Sequence, residues 1–369
     1  MGFDRGSVSF RIFYVKRSFD SSLVEAFAEH AAPPIETLGR DPIQGWVSGR
    51  HLLDTRLTEE NCVFGGYLHA TLMKAERKIP EALLRAHQRM EEEVQLRARN
   101  ATTLPRQVRS EIRDEIYERL LPTMPPTLTG LPVVVDFRND RVLAGALSDQ
   151  QLERFTGFFR ETTGVLPVVA TPEAVALVRK QVNSHDLTPV SFSPDPRVTP
   201  DQEISLGRDF LTWLWWWWET EGGQFRHEKN GPAYGVMLEG PLTFFREGEG
   251  AHEAVLRKGS PLNSREAGVA LLSGKRVKRT KLTLAEGNKQ WVATVDEDFA
   301  FRSVKLPKGE QPDPSGQFQE RMLFVETLVS VFLGLFDRFL DQRKSPAQWK
   351  KTVESMTQWV GRRAGYDAD

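Results

Sequence analysis

The sequence predicts an α+β protein of several parts, with antiparallel sheets, a protruding helical hairpin and C-terminal helices. Three observations carry this. Val8–Val15 alternates Val8, Phe10, Ile12 and Tyr14 as a half-buried strand does, and Lys275–Leu306 reads as strand, turn, strand, turn, strand. Glu81–Arg119 is Arg/Glu-rich and helical in period, interrupted only at Asn100–Pro105. The apolar stretch Gln317–Arg343 and the amphipathic Ser345–Arg363 close the chain as helices. At 369 residues the chain exceeds one ordinary core. Composition divides it at 1–78, 79–126, 127–190, 191–250, 251–310 and 317–369.

Taken in order, Ser21–His30 fits a helix with Ser21 or Ser22 as N-cap, and Asn61–Ala75 is strand material. Pro80 suits the first turn of the hairpin's first helix. Within the hairpin, eight arginines meet eight acids. That balance is the ordinary signature of a solvated helical pair, and a finger reaching an anionic partner is the rarer meaning. Pro122–Pro132 breaks the chain, Val133–Phe137 is a buried-strand run, and Ser148 caps a helix over Ser148–Glu161. Gly164–Val169 returns to extended structure, and Val182–Pro200 is proline-rich loop.

Arg208–Glu219 is a helix holding Trp213 and Trp215, Trp216, Trp217 and Trp218. At 100° per residue these rings surround the axis, so one buried face cannot hold them all. A helix wedged between two layers, or one at a subunit interface, accounts for them better than a base-stacking platform. Ser264–Leu272 is a short helix capped by Ser264 and ended by Gly274. Directly after it, five basic residues (Lys275, Arg276, Lys278, Arg279 and Lys281) fall within seven positions at the head of the meander. Basic side chains fixed on a sheet suit a line of phosphates, although by pattern alone a lysine-protected edge strand is commoner.

Hydrophobic residues make up 40% and charged residues 27% of the chain, as in a water-soluble globular protein. With a formal charge of −1, nucleic-acid binding has to rest on a local patch. The single cysteine, Cys62, excludes an intramolecular disulfide and a cysteine zinc cluster, and fits a reducing cytoplasm. Met1–Arg5 lacks a signal peptide's apolar core. The longest uncharged run in Met322–Leu340 is Thr327–Phe336, half of a spanning helix, so no membrane partner is expected. No phosphate loop, dinucleotide fingerprint, nucleophile elbow or histidine metal spacing occurs. No catalytic residue, metal ligand or cofactor is therefore assigned. Asp296-Glu297-Asp298 could ligate Mg²⁺, but a turn between strands explains it better. Glu326 and Asp337, inside an apolar helix, fit either paired polar contacts or a dimer seam.

Several segments, in order, resemble the bacterial recombination-associated RdgC family. The hairpin's ending Glu118-Arg119-Leu120-Leu121-Pro122 is similar to that family's E-x-L-L-P. Gly164-Val165-Leu166-Pro167-Val168-Val169 looks like its G-x-L-P-V-x-P strand, and Gly274–Leu284 resembles its G-K-x-V-x-K-L-x-L stretch. The resemblance spans roughly the first 310 residues. It implies a non-enzymatic protein that binds double-stranded DNA with little sequence preference, forms a ring-shaped homodimer around it, and restrains a RecA-type recombinase in the nucleoid. Carried over, the family's basic strand falls on Lys275, Lys278, Arg279 and Lys281, with Lys305 on the later strand; Arg276 and Arg302 beside them, and Arg97, Arg99 and Arg106 on the finger, complete the expected DNA-binding set. Leu121, Pro122 and Trp215–Trp218 are the expected interface. The chain departs from the family at Thr123-Met124-Pro125-Pro126, where typical members carry an Arg and a Phe, and in the Trp-rich expansion Ser191–Gly240. A metal-dependent exonuclease, of which the family has been suspected, and an interaction scaffold built on the Trp helix are the alternatives.

Overall fold

The computed structural model describes residues 2–201, 204–227, 231–248, 250 and 252–365. Its elements run β1 (Val8–Tyr14), α1 (Leu23–Glu29), β2 (Ile43–Ser48), α2 (Glu59–Cys62), β3 (Val63–Phe64), β4 (Tyr67–Arg77), α3 (Glu81–Ala98) and α4 (Arg106–Leu120). They continue β5 (Pro126–Asp136), β6 (Arg141–Ala144), α5 (Asp149–Thr163), β7 (Val168–Val169), α6 (Pro172–Lys180) and α7 (Leu206–Glu221). The remainder is β8 (Gln224–Arg226), β9 (Ala233–Phe245), β10 (Glu253–Leu256), α8 (Arg265–Leu272), β11 (Arg276–Glu286), β12 (Lys289–Asp296), β13 (Phe301–Lys305), α9 (Pro314–Lys344) and α10 (Pro346–Ala364). The strands join in one 13-stranded antiparallel sheet whose main path is β10-β9-β11-β12-β13-β1-β6-β5-β4-β2. β1 makes this continuity, pairing with β6 on one side and β13 on the other. The sheet thus crosses the segment boundaries that composition suggests.

Local chemistry explains most element ends. Ser148 and Gln151 form a reciprocal capping box on α5, and Gly164 ends that helix at φ +71°. Ser264 caps α8 through the Ala267 N–H at 3.2 Å, and Gly274 follows it at φ +82°. Asp313 caps α9 and proline fills its first turn. α6 is absent from the sequence reading, because its nine residues give too short a period. Asn61 and Cys62 end the small helix α2 rather than joining a strand.

Helices α1 and α5 cover one face of the β1–β6–β5–β4–β2 half, burying Phe13, Phe27, Trp46, Phe155 and Phe159. On the opposite face α7, α9 and α10 form the larger core with Phe10, Leu282, Leu284, Trp291 and Phe301. α7 runs between the sheet and these last two helices, so its residues from Leu206 to Trp217 are all buried. Trp215 meets Phe244 of β9 and Trp359 of α10, while Trp213 meets Phe339 of α9 and gives its Nε1–H to Gln342 at 3.0 Å. Rings pointing all ways from one axis are accommodated because that axis lies inside the protein. The assignment of Trp215, Trp216 and Trp217 to a subunit interface is corrected accordingly: they serve the chain's own core, and only Trp218 is half-exposed. Leu121 is likewise buried at the hairpin's base, leaving Pro122 exposed.

Glu326 and Asp337 of α9 are both engaged within the chain. Glu326 accepts from the Tyr67 hydroxyl and from Asn139, each at 3.2 Å, and Asp337 accepts from Arg179 Nε at 3.0 Å. These are paired polar contacts that dock α9 on the sheet and on α6.

His69 sets a pH dependence. It is 5% exposed on β4 and stacks on Phe318 of α9 at 4.6 Å. Burial pushes its imidazole down to about 4 from an ordinary 6.5, against a small opposing pull from Asp4. Below 6.5 the unfolded chain takes the proton and the folded chain does not. The contribution is therefore complete above 6.5 and is lost as pH falls towards 4, by about 3 kcal/mol. Urea titrations of wild type and His69→Leu at pH 7 and 4.5 check this. The wild type should lose more stability between the two pH values, and equal losses would contradict the assignment.

Candidate nucleic-acid interface

The half-sheet β9–β11–β12–β13 carries its helices on one face. Cross-strand register identifies what lies on the other. Lys281 of β11 stands opposite Thr294 of β12, which in turn stands opposite Arg302 of β13. Thr283 opposite Val292, and Val292 opposite Lys305, make a second row, and Arg279 faces Asp296 in a third. On β9, Glu239 and Met237 complete the first two rows. The intervening residues Leu282, Leu284, Trp291, Ala293, Val295 and Phe301 point into the core.

Arg302 and Lys305 are three residues apart, which in a regular strand would put them on opposite faces. Two steps along β12 from Val292 to Thr294 match three along β13, so β13 carries a bulge. Ser303 absorbs it at φ +50°, its N–H held by Ser9 Oγ at 2.8 Å. Arg302 and Lys305 thereby share the outer face with Arg279 and Lys281, while Arg11 of β1, 3.7 Å from Asp298, is nearly buried.

Carboxylates offset much of this charge. Lys281 pairs with Glu239, Arg279 lies 3.8 Å from Asp296, and Arg302 Nε donates to Asp296 at 3.1 Å. Lys305 is exposed and has no carboxylate partner among the described residues. Asp296 also accepts from the Ala300 N–H at 3.0 Å and the Asp298 N–H at 3.2 Å, so it builds the β12–β13 turn. Glu297 turns to the helix side, 3.0 Å from Arg208. The three acids of this turn are thus split between faces, and no group of His, Cys, Asp and Glu among the described residues could hold a metal ion.

Three members of the basic run leave the face. Arg276 is 4% exposed and is correctly read as a core residue, not a DNA contact. Its guanidinium bridges Asp201 and Asp209, and Arg208 joins Asp201 at 3.2 Å. A desolvated guanidinium of this kind needs every one of its carboxylates. Lys278 lies at the helix-side rim, 4.6 Å above the Phe245 ring and 3.8 Å from Glu297. Lys275 sits beside Ser273, Nζ to Oγ 3.3 Å. Counting by twos back from Leu284 and Leu282 already puts Lys278 and Arg276 on the helix side, so the basic run is not one face of the strand.

The hairpin α3–α4 forms its own small core around Leu84, Leu104, Ile112 and Ile116. Arg97, 3.9 Å from Glu93, and Arg99 and Arg106 are exposed at the end where the two helices join. Arg99 and Arg106 have no carboxylate partner among the described residues.

Residues 9–181 match the family model described as "Putative exonuclease, RdgC". Over that span, just under half of its length, the chain is similar to the RdgC family. The matched span holds β1, the hairpin and the elements through α6. It ends before the Trp helix and β11, so the RdgC resemblance of the basic meander rests on its own residues. No curated protein matches the chain. Among the described residues, no helix is long and apolar enough to cross a membrane.

Proposed function

We propose that the chain is a recombination-associated, non-catalytic protein that binds double-stranded DNA without reading its bases. It acts as a homodimer closing a ring on the duplex and limiting a RecA-type recombinase. The observation that carries this reading is the gathering of Arg279, Lys281, Arg302 and Lys305 on one helix-free sheet face. The match of residues 9–181 to the RdgC family model supports the recombination setting. Phosphates would compete with Glu239 for Lys281, an exchange of modest cost because that pair is part-exposed, and would meet the outer side of Arg279 and Arg302 while Asp296 stays in its turn. Arg99 and Arg106 supply a second contact from the hairpin. The scaffold alternative has little surface on this helix, since Trp213 and Trp215–Trp217 are buried.

Binding to a linear 40-mer duplex and to its single strand, titrated across salt with Mg²⁺ and product sizing, tests the proposal. With about 6–10 phosphate contacts over a dimer, affinity should fall ~10³–10⁵-fold between 50 and 200 mM salt. Duplex should be preferred and recovered intact. Shortened DNA would instead favour the activity in the family description, and no binding at low salt would refute the proposal.

A further inference from the structure

Away from the sheet face, a cavity of about 420 Å³ opens where the start of α9 meets β3 and β4. That volume is in the range of small-ligand sites. Its apolar walls are Phe64 and Phe318, with ring centroids 5.8 Å apart. His69 lines it too, stacked on Phe318 at 4.6 Å with 13° between planes. Its Nε2, in a side chain only 5% exposed, has no hydrogen-bond partner among the described residues. A buried ring nitrogen that no protein group meets is costly unless water or a ligand satisfies it, and this one belongs to a residue that lines a cavity. The ring is held in place by its packing: a Cβ added at Gly49 would lie 2.2 Å from Nδ1. At the rim, Asp313 is occupied by the Gly316 N–H at 2.7 Å and Asp4 lies 3.5 Å from Arg5. Arg50, exposed beside them, has no carboxylate partner among the described residues. The two carboxylates and two guanidiniums of the mouth balance formally, but Asp4 and Asp313 are each engaged and Arg50 is left to meet an incoming anion.

We infer that this cavity binds a nucleoside 5′-monophosphate moiety. Its base would lie against Phe64 and Phe318 with a polar edge on His69 Nε2, and its phosphate would meet Arg50. Aromatic walls favour a planar ring, and base–aromatic contact tolerates any base. A neutral imidazole can serve either as donor or as acceptor to the base edge. The moiety could be a free nucleotide or the 5′-terminal unit of a strand. This inference stands apart from duplex binding on the sheet face and uses none of its residues.

Calorimetry of the full chain with dAMP and with dTMP, alongside ¹H–¹⁵N spectra of the imidazole rings, tests it. One nucleotide per chain should bind with Kd of about 1 mM or tighter, and the His69 ring signals should shift. Arg50→Ala should weaken binding roughly tenfold with an unchanged melting temperature, the loss of one charge-assisted contact at an exposed residue. A 5′-phosphorylated pentathymidylate binding about tenfold tighter than dTMP would identify a strand end, and equal affinity a free nucleotide. No heat and no His69 shift up to about 10 mM nucleotide would overturn the site. Binding indifferent to Arg50→Ala would overturn it as well.

Discussion

Trp215→Ala should destabilise the protein by about 3–5 kcal/mol, the usual cost of removing a fully buried tryptophan. The ring is 0% exposed and has Phe244 of the sheet on one side and Trp359 of α10 on the other. Arg363 lies 4.5 Å from its centre, and its Nε1–H donates to Glu219 at 2.8 Å. Glu219 also accepts from Trp359 Nε1 at 2.8 Å and pairs with Arg363, so α7 and α10 are tied by one polar cluster around one aromatic contact. Three elements meet at this side chain, and none can close the void without drawing away from the other two. Thermal melts should show a midpoint lowered by on the order of 10 °C. A change of a degree or two would mean that α10 is not docked as described.

Asp209→Ala should be comparably severe, at about 3–5 kcal/mol, for a different reason. Asp209 is 1% exposed in the first turn of α7 and holds Arg276 at the start of β11. Removing it leaves a buried guanidinium with Asp201 alone, and Asp201 already serves Arg208 at 3.2 Å. The neighbouring Thr212 hydroxyl accepts the Val277 N–H at 2.9 Å, so this cluster also fixes where β11 begins. Urea unfolding should show the full loss at neutral pH. A loss below about 1 kcal/mol would show that the charge is relieved by water, and would reopen Arg276 as a surface residue.

The comparison of sequence with structure turns on these same residues. The hairpin, α5, α8, α9 and α10 are legible because helical period and caps are local: Ser148 and Ser264 cap where their positions suggest, and α9 begins at Pro314 behind Asp313, three residues before the expected Gln317. The β11–β12–β13 meander is legible from its turns. Which face serves what is not, since on β13 that depends on the bulge at Ser303 and on β11 on what packs against each side of the strand. Arg276 and Arg279 look equivalent in the basic run, yet one is sealed against α7 and the other meets Asp296 across the strand pair. The tryptophans mislead for a related reason. Composition shows that they need contact area, and only the tertiary arrangement shows that α9 and α10 supply it. The His69 cavity has no sequence signature, because β3, β4 and α9 are brought together from positions about 250 residues apart.

The most direct test of the account is duplex binding by Lys281→Gln/Arg302→Gln/Lys305→Gln, three changes that remove charge from the sheet face without burying a new one. Its melting temperature should stay near that of wild type. Its salt slope should fall by about three per protomer, and its affinity at low salt by about a hundredfold or more. Wild-type affinity and slope in this folded variant would contradict the assignment of the β9–β11–β12–β13 face to DNA.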